Sequence, residues 1–438
     1  MIRMEISSHR KSVWVIGCIL CVLFLFRLVY GLTSEFWLED ELQIYLIGLK
    51  FYSTGNWPFF GPDIVYTGSQ IPGALQGLLV GIPLYLWSIP ESPAILLNLI
   101  TFFSLCFLAW YIRKRVPEIP WWFVWIWVLT CPWTLNFSTT LVNPSFALVG
   151  GIFFFIAFLE AVPSLKGNLM NRKTAFALMG FSLFWVMQLH MSWVLMLPYL
   201  LYAFVISVRY EKTFIRDLLF FCFGSILPLA TLIPTYIQYG LASGSGGAGQ
   251  NIMINWQNVQ QIITVISRYL SFACYELPRF LGTSTALRME LAKHYWPFIP
   301  FIAFVLLAGL IQPLVLFVYL FLHSRVPLSM RLLTGITMLL IWVSFFFSVK
   351  GPSSHTFYIT LPLAMVYSMF VWRELFQKRW FRILMAAMLI CGILTNMVLI
   401  HEHFYSRSLY QNRDLPQKAI REKNYHILGE RRSYDRNE

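Results

Sequence analysis

The stretch VWVIGCILCVLFLFRLVYGL at residues 13–32, followed closely by the acidic triplet Glu39-Asp40-Glu41, decides how this chain is read. A helix needs about 20 apolar residues to cross the hydrocarbon core of a bilayer, and this run supplies them. It is longer than a signal-peptide core and no small-residue cleavage site follows it, so it stays in place as a signal anchor. Arg3, Arg10 and Lys11 precede it, and basic residues collect on the cytoplasmic side. The triplet therefore emerges on the outer face, where three adjacent carboxylates at a membrane surface call for a chemical reason.

The rest of the chain is committed to hydrocarbon. Of its 438 residues, 58% are hydrophobic and only 12% charged, with 39 Phe and 17 Trp. The mean hydropathy of +0.64 lies outside the soluble globular range. The net charge of +13 does not point to nucleic acid, because the basic residues fall in short clusters between apolar runs, not along one soluble face. Of the seven cysteines, only Cys274 lies in a polar loop; Cys18 and Cys21 have redox-motif spacing, but a bilayer-embedded helix is a poor redox or zinc site. No disulfide framework is expected.

Length and charge together predict an all-α polytopic membrane protein with about eleven transmembrane helices. The expected spans are 13–32, 93–112, 120–137, 144–161, 174–190, 193–208, 218–238, 297–322, 332–349, 357–372 and 381–400. In this arrangement every inner loop is basic, from Arg113-Lys114-Arg115 through Arg325 and Arg331 to Arg379 and Arg382. The apolar run at 72–87 is short and carries Gly73, Gly77, Gly81 and Pro83. If it spanned, the cluster at Arg113 would land outside, so it reads as a re-entrant or interfacial helix. The transmembrane domain is placed at 1–400, with outer loops at 34–92 and 239–296 and a charged tail at 401–438. The late, near-balanced tail falls outside in this map and leaves an even helix count open.

The candidate site residues all lie on the outer face or just beneath it. Successive residues point in different directions, so at most two of Glu39, Asp40 and Glu41 face one cleft. Asp40 is also a natural N-cap for an amphipathic stretch at 42–52, with Gln43 in a loose capping-box position. A carboxylate that caps can still act as a base, and an exposed metal site is a third reading. Asp63 in Gly61-Pro62-Asp63 reads as a turn former, kept as a site residue by its position. Lys350, His355, Arg268, Arg279 and Lys293 are outer-face cations for an anionic ligand or for lipid headgroups. Arg27, two turns below Glu35 in the first span, either serves function or snorkels outward. Glu160 is expected to reach cytoplasmic headgroups, and His190 to be structural. The Gly/Ser-rich stretch 244–249 reads as a linker or a hinge.

The order of helix one, Asp40-Glu41 followed by Tyr45, and then an interfacial helix resembles the type C glycosyltransferase (GT-C) fold, in particular the protein O-mannosyltransferases and the lipid A aminoarabinose transferases. The resemblance covers the layout of about the first 160 residues and His355-Thr356-Phe357-Tyr358 with Pro362. It implies that Asp40 matches the family's catalytic Asp, which activates the acceptor hydroxyl, and that Glu41 matches the following Glu. It implies a polyprenyl-phosphate-sugar donor, a lipid, glycan or protein acceptor, and a site on the outer face of what reads as a bacterial inner membrane; no cofactor is called for, and a divalent metal stays open. Tyr358 joins the substrate-contact candidates through the aromatic motif. The chain also departs from the family. Some relatives have an acid in the next outer loop where Asn143 stands, and the aminoarabinose transferases have a lysine near the segment that here reads Tyr66-Thr67-Gly68-Ser69-Gln70. Asn143 and Tyr66 are therefore substrate-contact candidates of a different chemistry. Two other functions fit the same map: a transporter or flippase for a lipid-linked saccharide, which would move a lipid unchanged, and a polysaccharide polymerase or ligase, which would use an oligosaccharide diphosphate.

Overall fold

The computed structural model describes residues 2–34, 39–64, 69–240, 254–282, 284–322, 326–406 and 413–429, without the side chains of 2–15, 39, 40 and 406. Tyr66, Arg325 and the stretch 244–249 lie outside the described residues. Among the described residues the regular structure is helical apart from one two-stranded hairpin. Among the described residues seven helices are long and apolar enough to cross a membrane. They are α1 (Ile2–Ser34), α4 (Ser92–Arg115), the continuous stretch Met191–Glu211 that contains α9 (Leu197–Ile206), α10 (Phe214–Tyr239), α14 (Ile299–Val318), α15 (Leu328–Phe346) and α17 (Arg379–Ser406). Four other expected spans are shorter: α5 (Trp121–Thr130) with α6 (Pro132–Asn136), α7 (Ala147–Ala161), α8 (Arg172–Met187) and α16 (Leu361–Leu375). At about 1.5 Å per residue they cover roughly 15–24 Å, less than the hydrocarbon core.

Burial separates two kinds of helix. In α7 every residue except Phe153 is buried, and α16 is buried from Leu361 to Trp372. A helix that is apolar all round belongs inside, surrounded by other helices. By contrast α10 turns Leu219, Phe223, Leu227 and Ile237 outward, and α14 exposes Leu307, Leu310 and Leu314. Apolar faces of that extent suit lipid. Where α8 crosses α10, a Cβ on Gly180 or Gly224 would run into the carbonyl of Phe221 or Ala177, so two glycines let the backbones touch.

The basic end of the bundle is tied by buried carboxylates. Glu160 does not reach toward headgroups: it is buried and accepts hydrogen bonds from Tyr111 Oη at 2.8 Å and from the backbone N–H groups of Gly167 and Leu169 at 2.9 Å, with Arg115 at 3.3 Å. A carboxylate surrounded by donors can sit where an unpaired one cannot. Arg172 bridges α7, the helical turn that follows α9, and α10 by donating to the Ala161 carbonyl at 2.6 Å, Ser207 Oγ at 2.7 Å and Asp217 Oδ2 at 2.7 Å.

At the other end lies the segment after α1. It forms α2 (Glu39–Thr54), β1 (Phe60–Ile64), β2 (Ser69–Pro72) and α3 (Leu75–Leu86). At about 18 Å, α3 is too short to span. It packs on α2 and leaves Tyr85, Leu86 and Trp87 exposed, the aromatic-apolar edge of a helix lying at an interface. The hairpin is unanticipated; its register pairs Asp63 with Gln70.

Helices α1 and α17 pack side by side and point the same way. Ser34 Oγ and His403 Nδ1, near their C-terminal ends, are 2.6 Å apart. Seven residues earlier on each, Arg27 donates to the Leu129 carbonyl at 2.7 Å and Asn396 to the Thr130 carbonyl at 3.3 Å. Each crossing reverses the chain, so two parallel end helices require an odd number of crossings. The tail agrees. Arg413 pairs with Glu91 at the start of α4 through Nε at 2.6 Å and Nη2 at 3.2 Å. In α18 (Asp414–Arg421) Ala419 and Ile420 are buried, and Lys423 stands 5.6 Å over the Tyr52 ring of α2. The tail thus lies at the end of the bundle that carries α2 and α3. A membrane-impermeant maleimide is expected to label Thr54→Cys and Glu422→Cys from one side of sealed vesicles and Glu211→Cys from the other. Labelling of the first two from opposite sides would overturn the parallel arrangement.

Candidate functional site

The acidic side of the site starts at α2. Asp40 is the second residue of that helix, and its side chain, like that of Glu39, lies outside the described residues; Glu41 is half-buried. The helix already includes Glu39, so Asp40 is not its N-cap. Gln43 does not complete a capping box either. Its Nε2 donates to Asp63 Oδ2 and its Oε1 accepts the Asp63 N–H at 3.3 Å. Gln70 Nε2 donates to Asp63 Oδ1 at 2.7 Å. Asp63 is therefore a strand residue that locks the hairpin to α2, not a turn former. Asp63 is thereby held against the N-terminal part of α2.

The hairpin in turn is seated on the junction of α8 and α10. Thr235 Oγ1 donates to the Phe59 carbonyl at 2.7 Å and the Ala74 N–H to the Thr231 carbonyl at 3.1 Å. Gln188, just past α8, donates to the Pro228 carbonyl at 2.7 Å and accepts from Thr231 Oγ1 at 2.9 Å. Gly73 has φ of +119°, and a Cβ there would collide with the Gln188 side chain, so glycine is required twice over. Two residues beyond Gln188, His190 holds Ser192 Oγ at 2.8 Å and caps the next helical stretch, the structural part expected of it.

The basic side is built from the loop between α10 and α14 and the turn between α15 and α16. The loop contains α11 (Ile262–Leu270), α12 (Leu277–Leu281) and α13 (Thr285–His294). Asn258 fixes it to the end of α15 by donating to the carbonyls of Phe345 at 2.8 Å, Lys350 at 3.0 Å and Ser348 at 3.1 Å. One of these carbonyls is in the last turn of α15 and two are just past it. Arg268 on α11 donates to the Pro352 carbonyl and pairs with Glu276 at 2.7 Å. Burial, followed by the charges of His190, Arg279, Lys350 and Arg268, pushes the His355 imidazole down to about 3. It is neutral near pH 7, so it can meet an anion as a hydrogen-bond donor, not as a cation.

Four of the five expected anion contacts, Lys350, His355, Arg268 and Arg279, are thus drawn to one place. Lys293, exposed on α13, is not among the charges that act on His355. Arg279 is exposed and has no partner among the described residues. Beneath His355 the floor is aromatic. The His355 ring lies 6.0 Å from Phe137, and Tyr358 packs 5.7 Å from Phe137 and 5.9 Å from Trp133. The Tyr358 hydroxyl is buried without a hydrogen-bond partner in the structure. Arg27 lies with these core residues, 0% exposed. It neither snorkels nor opens to the surface, and its guanidinium holds Ser138 Oγ at 2.8 Å and the carbonyls of Leu129 and Thr134. Asn143 is half-buried with its Oδ1 likewise unpartnered.

Among the described residues no group of three His, Cys, Asp or Glu side chains is placed to hold a metal ion. Comparison with known protein families, curated proteins and solved structures finds no match. The roles of three polar residues that shape the site escape a reading of the sequence: Gln43, Gln70 and Glu276. Gln70 faces Asp63 only through a strand register that no alternation announces. Glu276 meets Arg268 only because the chain turns sharply through Phe272 and Ala273, both at positive φ.

Proposed function

We propose that this protein is a membrane glycosyltransferase that moves a sugar from a polyprenyl-phosphate donor to a lipid, glycan or protein acceptor on the outer face of a bacterial plasma membrane. Asp40 takes the proton of the acceptor hydroxyl as its oxygen bonds to the sugar's anomeric carbon. The bond from that carbon to the phosphate oxygen breaks, and the electron pair leaves with the polyprenyl phosphate. Arg279, Lys350 and neutral His355 face the charge that grows on the leaving group. Glu41 is an electrostatic partner of Asp40. In this reading α5 with α6, α7, α8 and α16 complete eleven crossings with the seven longer helices, an odd number that suits the parallel α1 and α17.

One observation carries the reading. The carboxylate-bearing start of α2 is fastened through Gln43, Asp63 and the hairpin to the α8–α10 junction, and His190 at that junction lies within electrostatic reach of the cation cluster. An acid and a set of cations are thereby gathered at one end of a hydrophobic bundle, as removal of a hydroxyl proton and departure of a phosphate require. Mass spectrometry of envelope glycolipids with and without the gene tests it: a glycoform is expected to lose one hexose, pentose or amino sugar. Unchanged glycolipids and glycans, or purified protein that moves a labelled lipid across liposomes without converting it, would overturn it.

A further inference from the structure

The cation cluster contains an anion of its own. Glu276 is 5% exposed, and neither carboxylate oxygen accepts a hydrogen bond in the structure. A buried carboxylate is costly without compensation. The compensation here is the Arg268 guanidinium at 2.7 Å, near enough for a strong electrostatic pair but not aligned as a hydrogen bond. The same guanidinium donates through Nη1 to the Pro352 carbonyl. Arg268 therefore joins two pieces of chain, the bend at 272–276 and the turn at 351–354 that presents His355.

We infer that Arg268 and Glu276 are positioning residues: together they form a tie that fixes the His355 turn, and Arg268 is not a ligand for the donor's phosphate. With Nε on Glu276 and Nη1 on Pro352, a phosphate that met Arg268 would have only Nη2 left, and the two-pronged grip of a free guanidinium could be had only by stripping Arg268 from Glu276 or from the turn. Arg279 has no such commitment, since it is exposed and without a partner among the described residues. Direct contact with the anion passes to Arg279 and to the turn that the tie supports. In naming a phosphate the inference rests on the glycosyltransferase reading.

The test uses the full-length protein in detergent, with farnesyl phosphate as a short prenyl-phosphate probe. Arg268→Gln is expected to lower the melting temperature more than Glu276→Gln, because only the former leaves a buried charge unpaired. The double variant is expected to recover much of that loss, a non-additivity that two residues in contact produce. Its affinity for farnesyl phosphate is expected to fall only through the loosened His355 turn, by no more than about threefold, whereas Arg279→Gln, which removes a direct contact, weakens binding about tenfold, the cost of one charged hydrogen bond. Additive melting shifts, or a double variant that binds as weakly as Arg279→Gln, would overturn the inference. If the wild type fails to bind farnesyl phosphate, the proposed function falls, and the melting cycle still decides the tie.

Discussion

Asp40→Asn is expected to reduce sugar transfer by about a thousandfold, within the range for loss of a general base, while expression, membrane insertion and melting temperature stay close to wild type. The amide has the shape of the carboxylate but cannot take a proton at neutral pH. It stands in the first turn of α2, where an uncharged polar residue is tolerated and the loss of one negative charge from the helix start costs about 0.3–1 kcal/mol. Asp63→Asn is the informative companion. Both Asp63 oxygens accept hydrogen bonds, from Gln43 and Gln70. An asparagine there must turn one NH2 group toward another NH2 group, so the hairpin loosens from α2. That variant is expected to lose stability and activity together, whereas Asp40→Asn loses rate alone. Turnover and thermal melting measured on the same purified samples separate the two. Transfer retained in Asp40→Asn would reject Asp40 as the base.

What could be read from the sequence follows the range of the interactions involved. The long helices were legible because each carries its own signal, a run of apolar residues bounded by charge, and α3 because its run is too short and its charges would fall on the wrong side. The cations expected on the outer face could be listed for the same reason. Their meeting around His355 could not be read, since it depends on how residues 254–296 fold back over the end of α15. The hairpin was hidden because FGPDI contains Gly and Pro and lacks alternation; its stability comes from glutamine side chains and from its seat on α8 and α10. Glu160 shows the same limit from the other side. An acid near the inner end of an apolar helix looks like a headgroup contact until the turn at 167–169 is seen to offer it two backbone N–H groups.

Arg27 gives the largest stability effect expected of a single substitution, and the reason is a count of donors. Helix α5 is cut at Cys131 because Pro132 has no N–H to offer the helix. In a membrane interior, carbonyls freed by such a break have no water to turn to and must borrow donors from neighbours. The structure supplies each one. The Trp127 carbonyl keeps the Cys131 N–H at 3.0 Å. The Val128 carbonyl takes the Thr134 hydroxyl at 2.9 Å. Trp133 N–H is diverted to the Phe272 carbonyl, so the Leu129 carbonyl takes Arg27, and the Thr130 carbonyl takes Asn396. Arg27→Leu removes a donor that also serves Ser138, and it cannot fill the gap with another polar group. The expected loss is about 3–5 kcal/mol, the scale for removing one side of a buried charged network. Thermal melting in detergent checks it. Arg27→Lys, which keeps the charge but cannot span acceptors on α5 and α6 together, is expected to fall between wild type and Arg27→Leu. The folded fraction of Arg27→Lys is expected to keep its turnover per molecule, because Arg27 holds up the floor of the site from below. A folded Arg27→Lys protein without activity would instead place this arginine in direct contact with substrate.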